Sequence, residues 1–216
     1  MTIPLTVILG GDPLAFEVCE SLIAARLGVV MLWDEGDVAA RAVELGARFV
    51  RRQGDQNRAL RDAGIGTAAV AMALTDDDRI NLEFALAARD LNPAIRIVMR
   101  QFNRTLGRKL EENLPNCSVI SLESQSAATY AGVAVDPDCF YGLHFPNPDG
   151  PLVGFRTCSA TAAAVAGALA ADAEQKLGAR IVASNGDLDY DRARAFAPDD
   201  RLTLCAPVQV RVGGAT

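Results

Sequence analysis

The chain has 216 residues, 50% of them hydrophobic, with 21 basic against 27 acidic side chains and a formal net charge of -6. That length supplies one full α/β core and a small second lobe, and a pI near 4.8 with no block of lysine and arginine excludes nonspecific attraction to nucleic acid or anionic lipid. The five scattered cysteines, Cys19, Cys117, Cys139, Cys158 and Cys205, form no C-x-x-C pair, which argues against zinc or redox chemistry and for thiols in a reducing cytoplasm.

The opening Met1-Thr-Ile-Pro-Leu-Thr-Val-Ile-Leu9 has no basic n-region and meets a glycine turn too early for a signal peptide, so it reads as a first strand. Apolar runs follow at Thr6–Leu9, Val29–Trp33, Arg48–Val50, Ala69–Leu74, Arg96–Met99 and Ser118–Leu122, alternating with helix-length stretches. The rhythm predicts an α/β fold with a Rossmann-type, doubly wound parallel sheet. Its strands are apolar on consecutive residues, as expected when helices cover both faces. The helix predicted over 77–91 places Ile80, Phe84, Ala87 and Leu91 on one face and ends at Asn92-Pro93.

After about Val135 the composition changes. Pro137, Pro146, Pro148 and Pro151 crowd with glycines around His144, which places a domain boundary between 1–135 and 136–216. In the second part, 162–177 reads as a helix, and 180–183, 202–205 and 208–212 read as strands of a small C-terminal α+β lobe. The small-apolar run Thr161–Ala171 falls far short of the roughly 20 residues that span a bilayer.

In a dinucleotide fold the first strand turns through G-x-G-x-x-G into a helix whose amides face the pyrophosphate. Here the turn reads Gly10-Gly11-Asp12-Pro13-Leu14-Ala15. Asp12 stands where the backbone approaches phosphate, and Asp12-Pro13 is itself a helix-start signal, with Asp as N-cap and Pro at the first helical position. The phosphate site is therefore expected to be capped by the chain's own carboxylate. Asp34 ends the second strand at the spacing of a ribose-binding acid; the polar loop Asp34-Glu35-Gly36-Asp37 is an equal reading. Asp76-Asp77-Asp78 complements a helix start more readily than it makes a metal site. His144 has no second histidine to act with, Tyr130 has no lysine four residues on, and neither a G-x-S-x-G elbow nor a Walker lysine occurs. No catalytic constellation is written here, and the chain is expected not to be an enzyme.

Taken in order, these pieces resemble the N-terminal TrkA domain, also called the RCK or regulator-of-potassium-conductance domain. The resemblance runs from about Thr6 to Ala134. It rests on the first turn, Asp34, Gly54-Asp55, Leu60-Arg-Asp-Ala-Gly-Ile65 and Ala73-Leu-Thr-Asp-Asp-Asp-Arg-Ile-Asn81, and then on Ala88-Arg-Asp-Leu-Asn-Pro93, Ile97-Val-Met-Arg100 and Leu106-Gly-Arg-Lys-Leu110. It implies a cytoplasmic regulatory domain at the inner face of a membrane, forming homodimers or higher rings beneath a potassium channel or transporter, either as a separate subunit or within one longer polypeptide. It also implies a ligand, NAD(H) or another adenine nucleotide, in a cleft formed by Gly10, Gly11, Asp12, Asp34, Gly54, Asp55, Thr75 and Arg100. On that pattern Asp34 meets ribose, Gly54-Asp55 the adenine side, and Thr75 and Arg100 the phosphates. Asp12 departs from the pattern, and the family also includes domains that bind no nucleotide and respond to a cation at the switch point or to partner domains instead. The lobe after residue 135 occupies the place of the family's C-terminal subdomain. Two other readings are an NAD(P)-dependent oxidoreductase, supported by the fold alone, and a structural assembly domain with a degenerate nucleotide site.

Overall fold

A computed structural model describes residues 3–34, 36–144 and 151–208. The chain divides into two compact units, 1–122 and 123–216.

The first unit is a six-stranded parallel sheet in the order β3-β2-β1-β4-β5-β6. Its strands are β1 (Leu5–Leu9), β2 (Gly28–Trp33), β3 (Arg48–Arg51), β4 (Val70–Ala73), β5 (Arg96–Arg100) and β6 (Cys117–Ile120). The helices α1 (Pro13–Ala24), α2 (Gly36–Glu44), α3 (Gln56–Ala63), α4 (Asp78–Leu91) and α5 (Arg104–Asn113) make the crossovers. On one face of the sheet Val7, Leu9, Val30 and Leu32 pack with Leu60, Phe84, Ile97 and Met99. On the other, Ile8 and Met31 pack with Phe16, Cys19 and Val38. Alternate residues of each central strand thus enter opposite cores, which is why the runs are apolar on every residue.

Four helices of this unit start on an Asx side chain. Asp12, Asp55, Asp77 and Asn103 each accept a hydrogen bond from an amide in the first turn of α1, α3, α4 and α5. Strand order reverses between β1 and β4, so the carboxyl ends of those two strands and their neighbours frame the switch-point crevice.

The second unit contains α6 (Leu122–Val135) and an antiparallel sheet in the order β7-β8-β10-β9, with a further helix, α7 (Ala170–Leu177). The strands are β7 (Cys139–His144), β8 (Leu152–Ser159), β9 (Arg180–Ser184) and β10 (Arg201–Pro207). The division falls before α6, whereas the change in composition comes after it. The reason is close packing: α6 lies against β7 at Gly142, where a Cβ would run into the Ala128 carbonyl oxygen, and the Gly142 amide donates to the Thr129 hydroxyl.

Three sequence expectations for this unit change. The Pro/Gly-rich stretch read as a boundary contributes β7 and β8. The helix expected over 162–177 begins only at Ala170, because Ala164 and Gly167 adopt positive φ of 56° and 82°. The preceding segment is instead tied to a distant one, with the Gly167 amide donating to the Phe196 carbonyl and the Thr161 amide to that of Pro198. The strand expected at 208–212 lies, beyond Val208, outside the described residues, and β10 itself runs two residues past the expected end. No described helix is long and apolar enough to cross a membrane.

Candidate functional site

The crevice begins at Asp12. Its Oδ1 accepts the Ala15 amide at 2.9 Å, capping α1, and its Oδ2 lies 3.3 Å from Nη1 of Arg100 at the end of β5. The Arg100 guanidinium rests 4.7 Å over the Phe102 ring, and its Nε is buried without a partner. The helix terminus, the carboxylate and the guanidinium form one compensated series. A phosphate about 4 Å from that carboxylate would meet a repulsion of roughly 1–4 kcal/mol between the dielectric limits of water and a protein surface.

The two glycines before Asp12 are held by close approach. A Cβ at Gly10 would stand 2.8 Å from the Ala15 Cβ, so strand and helix meet tightly. A Cβ at Gly11 would stand 2.6 Å from Cδ1 and 2.7 Å from Nε1 of Trp33. The indole at the end of β2 therefore lies flush against the turn.

Asp34 follows Trp33 and forms a two-point pair with Arg52: Nη2 donates to Oδ2 at 2.7 Å and Nε to Oδ1 at 3.1 Å. That hydrogen bonding raises the Arg52 pKa above its ordinary value, outweighing its partial burial. Arg51 Nε donates to the Asp34 carbonyl, so both arginines fix the β2 end. Each Asp34 carboxylate oxygen retains a second lone pair, and the side chain is 44% exposed. Gly54 takes φ 72° in the turn after β3, a conformation that favours glycine, and Asp55 turns to its own helix by accepting the Asn57 amide at 2.9 Å.

Thr75 is buried, and its hydroxyl donates to Asn81 Oδ1 at 2.8 Å. Asn81 also accepts the Thr75 amide and donates from Nδ2 to the carbonyls of Thr75 and Arg100 at 2.9 and 3.0 Å. All its polar capacity is satisfied in a fully buried position, joining the end of β4 to the end of β5. Beside it, Asp77 caps α4, while Asp78 accepts the Phe102 amide at 2.9 Å and Gln101 Nε2 at 2.7 Å. The acidic run thus serves helix and loop ends. No group of three or more His, Cys, Asp or Glu that could hold a metal ion occurs among the described residues.

Of the candidate residues, Asp12 meets Arg100 directly, and Thr75 meets the Arg100 backbone through Asn81. Asp34 pairs with Arg52, which sequence reasoning did not single out. Asn81 was visible only as the end of a motif. Its signal was a polar residue in phase with Phe84 and Ala88 on the buried side of α4. The ribose end of a dinucleotide site fits the residues present, and the diphosphate end does not, because Asp12 holds it. His144 stands exposed at the end of β7.

A six-stranded parallel sheet in this order, with an acid at the end of the second strand and a tight turn after the first, defines a Rossmann-type α/β domain. The TrkA-N domain model matches residues 6–122, and the chain belongs to that family. The chain is also similar to the GsuK channel bound to NAD, at 19% identity and a TM-score of 0.60, covering all of this chain and 40% of that one. Against the GsuK RCK domain the values are 19% and 0.59, covering 95% of this chain and 45% of that one. Against the TrkA-N domain of the inner membrane protein ybaL from Escherichia coli they are 19% and 0.54, covering 61% and 97%. This chain therefore spans less than half the length of the GsuK chains it matches. No curated protein matches it in sequence.

Proposed function

We propose that the chain is a regulatory domain of a potassium channel or transporter, acting at the inner face of the membrane by moving rather than by chemistry. The observation that carries this reading is how the crevice of a TrkA-N domain is wired. Asp12 couples the start of α1 to the end of β5, Asn81 couples β4 to β5, and Arg52 couples β3 to β2. These side chains hold strand ends and helix starts together. A ligand seated in the crevice against these pairs would bias how α1 sits against the second half of the sheet, and a pore attached to the domain would feel that bias. The NAD-bound GsuK channel supports placing an adenosine-bearing ligand in this crevice.

Assembly with further copies is part of the reading. Phe102, Leu106 and Ile120 remain partly exposed at the β6 side of the sheet, as an interface there requires. The test is potassium flux in native cells carrying the intact gene or Asn81→Leu, with protein level measured in parallel. Altered flux dependent on the intact domain is expected. Unchanged flux, together with turnover of a nicotinamide-dependent reaction by the purified protein, would refute the proposal in favour of an oxidoreductase.

A further inference from the structure

Resting on that reading of the crevice, we infer that it selects a nucleoside whose 5′ end carries no phosphate, in preference to the corresponding nucleotide. The juxtaposition that carries this is a partly exposed carboxylate–guanidinium pair at one end of the crevice and, at the other, a carboxylate that already holds both the helix amide and a guanidinium.

At the ribose end, Asp34 and Arg52 offer matched chemistry for a cis-diol. The carboxylate oxygens accept hydroxyl protons through their remaining lone pairs, while the guanidinium donates to hydroxyl oxygens. The pair is accessible, with side-chain exposures of 44% and 24%.

At the phosphate end an anion is already in place beside the counterpart groups. The Ala15 amide and Arg100 are the donor and the cation a phosphate would take, and both are bound by the Asp12 carboxylate. Asp12 is in effect a covalently tethered substitute for the anion. The Thr75 hydroxyl donates to Asn81, so it is not available to compensate a second negative charge. Between the two ends, the Cδ1–Nε1 edge of the Trp33 indole lies against Gly11 and closes the turn on that side. A ligand neutral at its 5′ end therefore keeps the Asp12–Arg100 pair intact. A nucleotide must break that pair or sit beside an anion.

The experiment is titration calorimetry of the full chain with adenosine, AMP and NAD in metal-free buffer, for the natural sequence, Asp12→Gly and Asp12→Asn. Asparagine keeps the helix cap without the charge, and glycine caps nearly as well, so both variants are expected to remain folded, as a melting curve verifies. The natural protein is expected to bind adenosine about tenfold or more tightly than AMP. In the variants AMP is expected to gain about tenfold or more while adenosine changes less than about threefold, and Asp34→Ala is expected to abolish adenosine binding. Tighter binding of AMP or NAD than adenosine by the natural protein overturns the inference and leaves the crevice as a nucleotide sensor. AMP affinity unchanged in both Asp12 variants also overturns it. Binding of none of the three ligands by any variant overturns the ligand site itself.

Discussion

Asn81 in the first unit and Glu174 and Asp200 in the second each tie separate elements or loops together, but Asn81 does so as a neutral amide and the two acids as charges. Asn81 joins two parallel strand ends through four hydrogen bonds. Glu174 accepts from the Ile181 amide and pairs with Arg180 and Arg192. Asp200 accepts from Asn185, Arg194 and the Ala197 amide, pinning the irregular 185–200 segment. A buried amide is insensitive to pH, whereas a carboxylate's hold depends on its ionisation. The Asn81 junction therefore holds independently of pH, whereas the Glu174 and Asp200 junctions have an acid limit.

The sharpest way to break the comparison is Asn81→Leu. It leaves the Thr75 amide and the carbonyls of Thr75 and Arg100 buried without this partner, at a cost of roughly 3–5 kcal/mol. Chemical denaturation followed by a signal from the first unit should show its midpoint fall while the second unit's transition stays in place. Gly142→Ala makes the reciprocal test. The new Cβ collides with the backbone of α6, so the second unit alone should lose about 1–3 kcal/mol, read in the same titration.

The acid limit has a definite sign. Burial pushes the Glu174 carboxyl up, but the Arg192 hydrogen bond, the Ile181 amide and the charges of Arg192 and Arg180 outweigh it and hold the pKa below the ordinary 4.5. Asp200 is held below 3.8, chiefly by the Asn185 side chain and the Ala197 amide. Both contributions are complete above those ordinary values and disappear as pH falls through the lower folded-state values. Calorimetric scans in that acid range should show the second unit's transition moving down in temperature, and Glu174→Gln should flatten its pH dependence. The smallest effect expected is that of Arg52→Ala. The pair with Asp34 is partly exposed, so unfolding of the first unit should shift by less than about 1 kcal/mol, and added salt should narrow the difference further.

The same contrast explains what was legible in the sequence. Strands buried on both faces announce themselves by consecutive apolar residues, and Asp12-Pro13, Asp55 and Asp77 announce helix starts because capping is a local act. The parallel unit was readable for those reasons, as was the capping of α1 by Asp12. Partners were not readable. Nothing in Arg51-Arg52 says which arginine takes the Asp34 carboxylate, and nothing local couples Asp12 to Arg100 across 88 residues. In the second unit, the Ala-rich stretch favours helix by propensity, yet the contacts of Thr161 and Gly167 with 196–198 override it. The β7–β8 pair was hidden because its glycines serve close packing, Gly142 against α6 and Gly154 against Cys139 and Val208, rather than turns.

Trp33 is the only tryptophan in the chain, and its indole rests on Gly11, one residue from Asp12 and one from Asp34. The protein therefore carries one indole fluorophore at the junction of the two charged pairs, with no second tryptophan to dilute its emission. A change in wavelength or quenching reports on the first turn of the parallel unit alone, so occupancy of the crevice and opening of the Asp12–Arg100 contact are both open to measurement without a label.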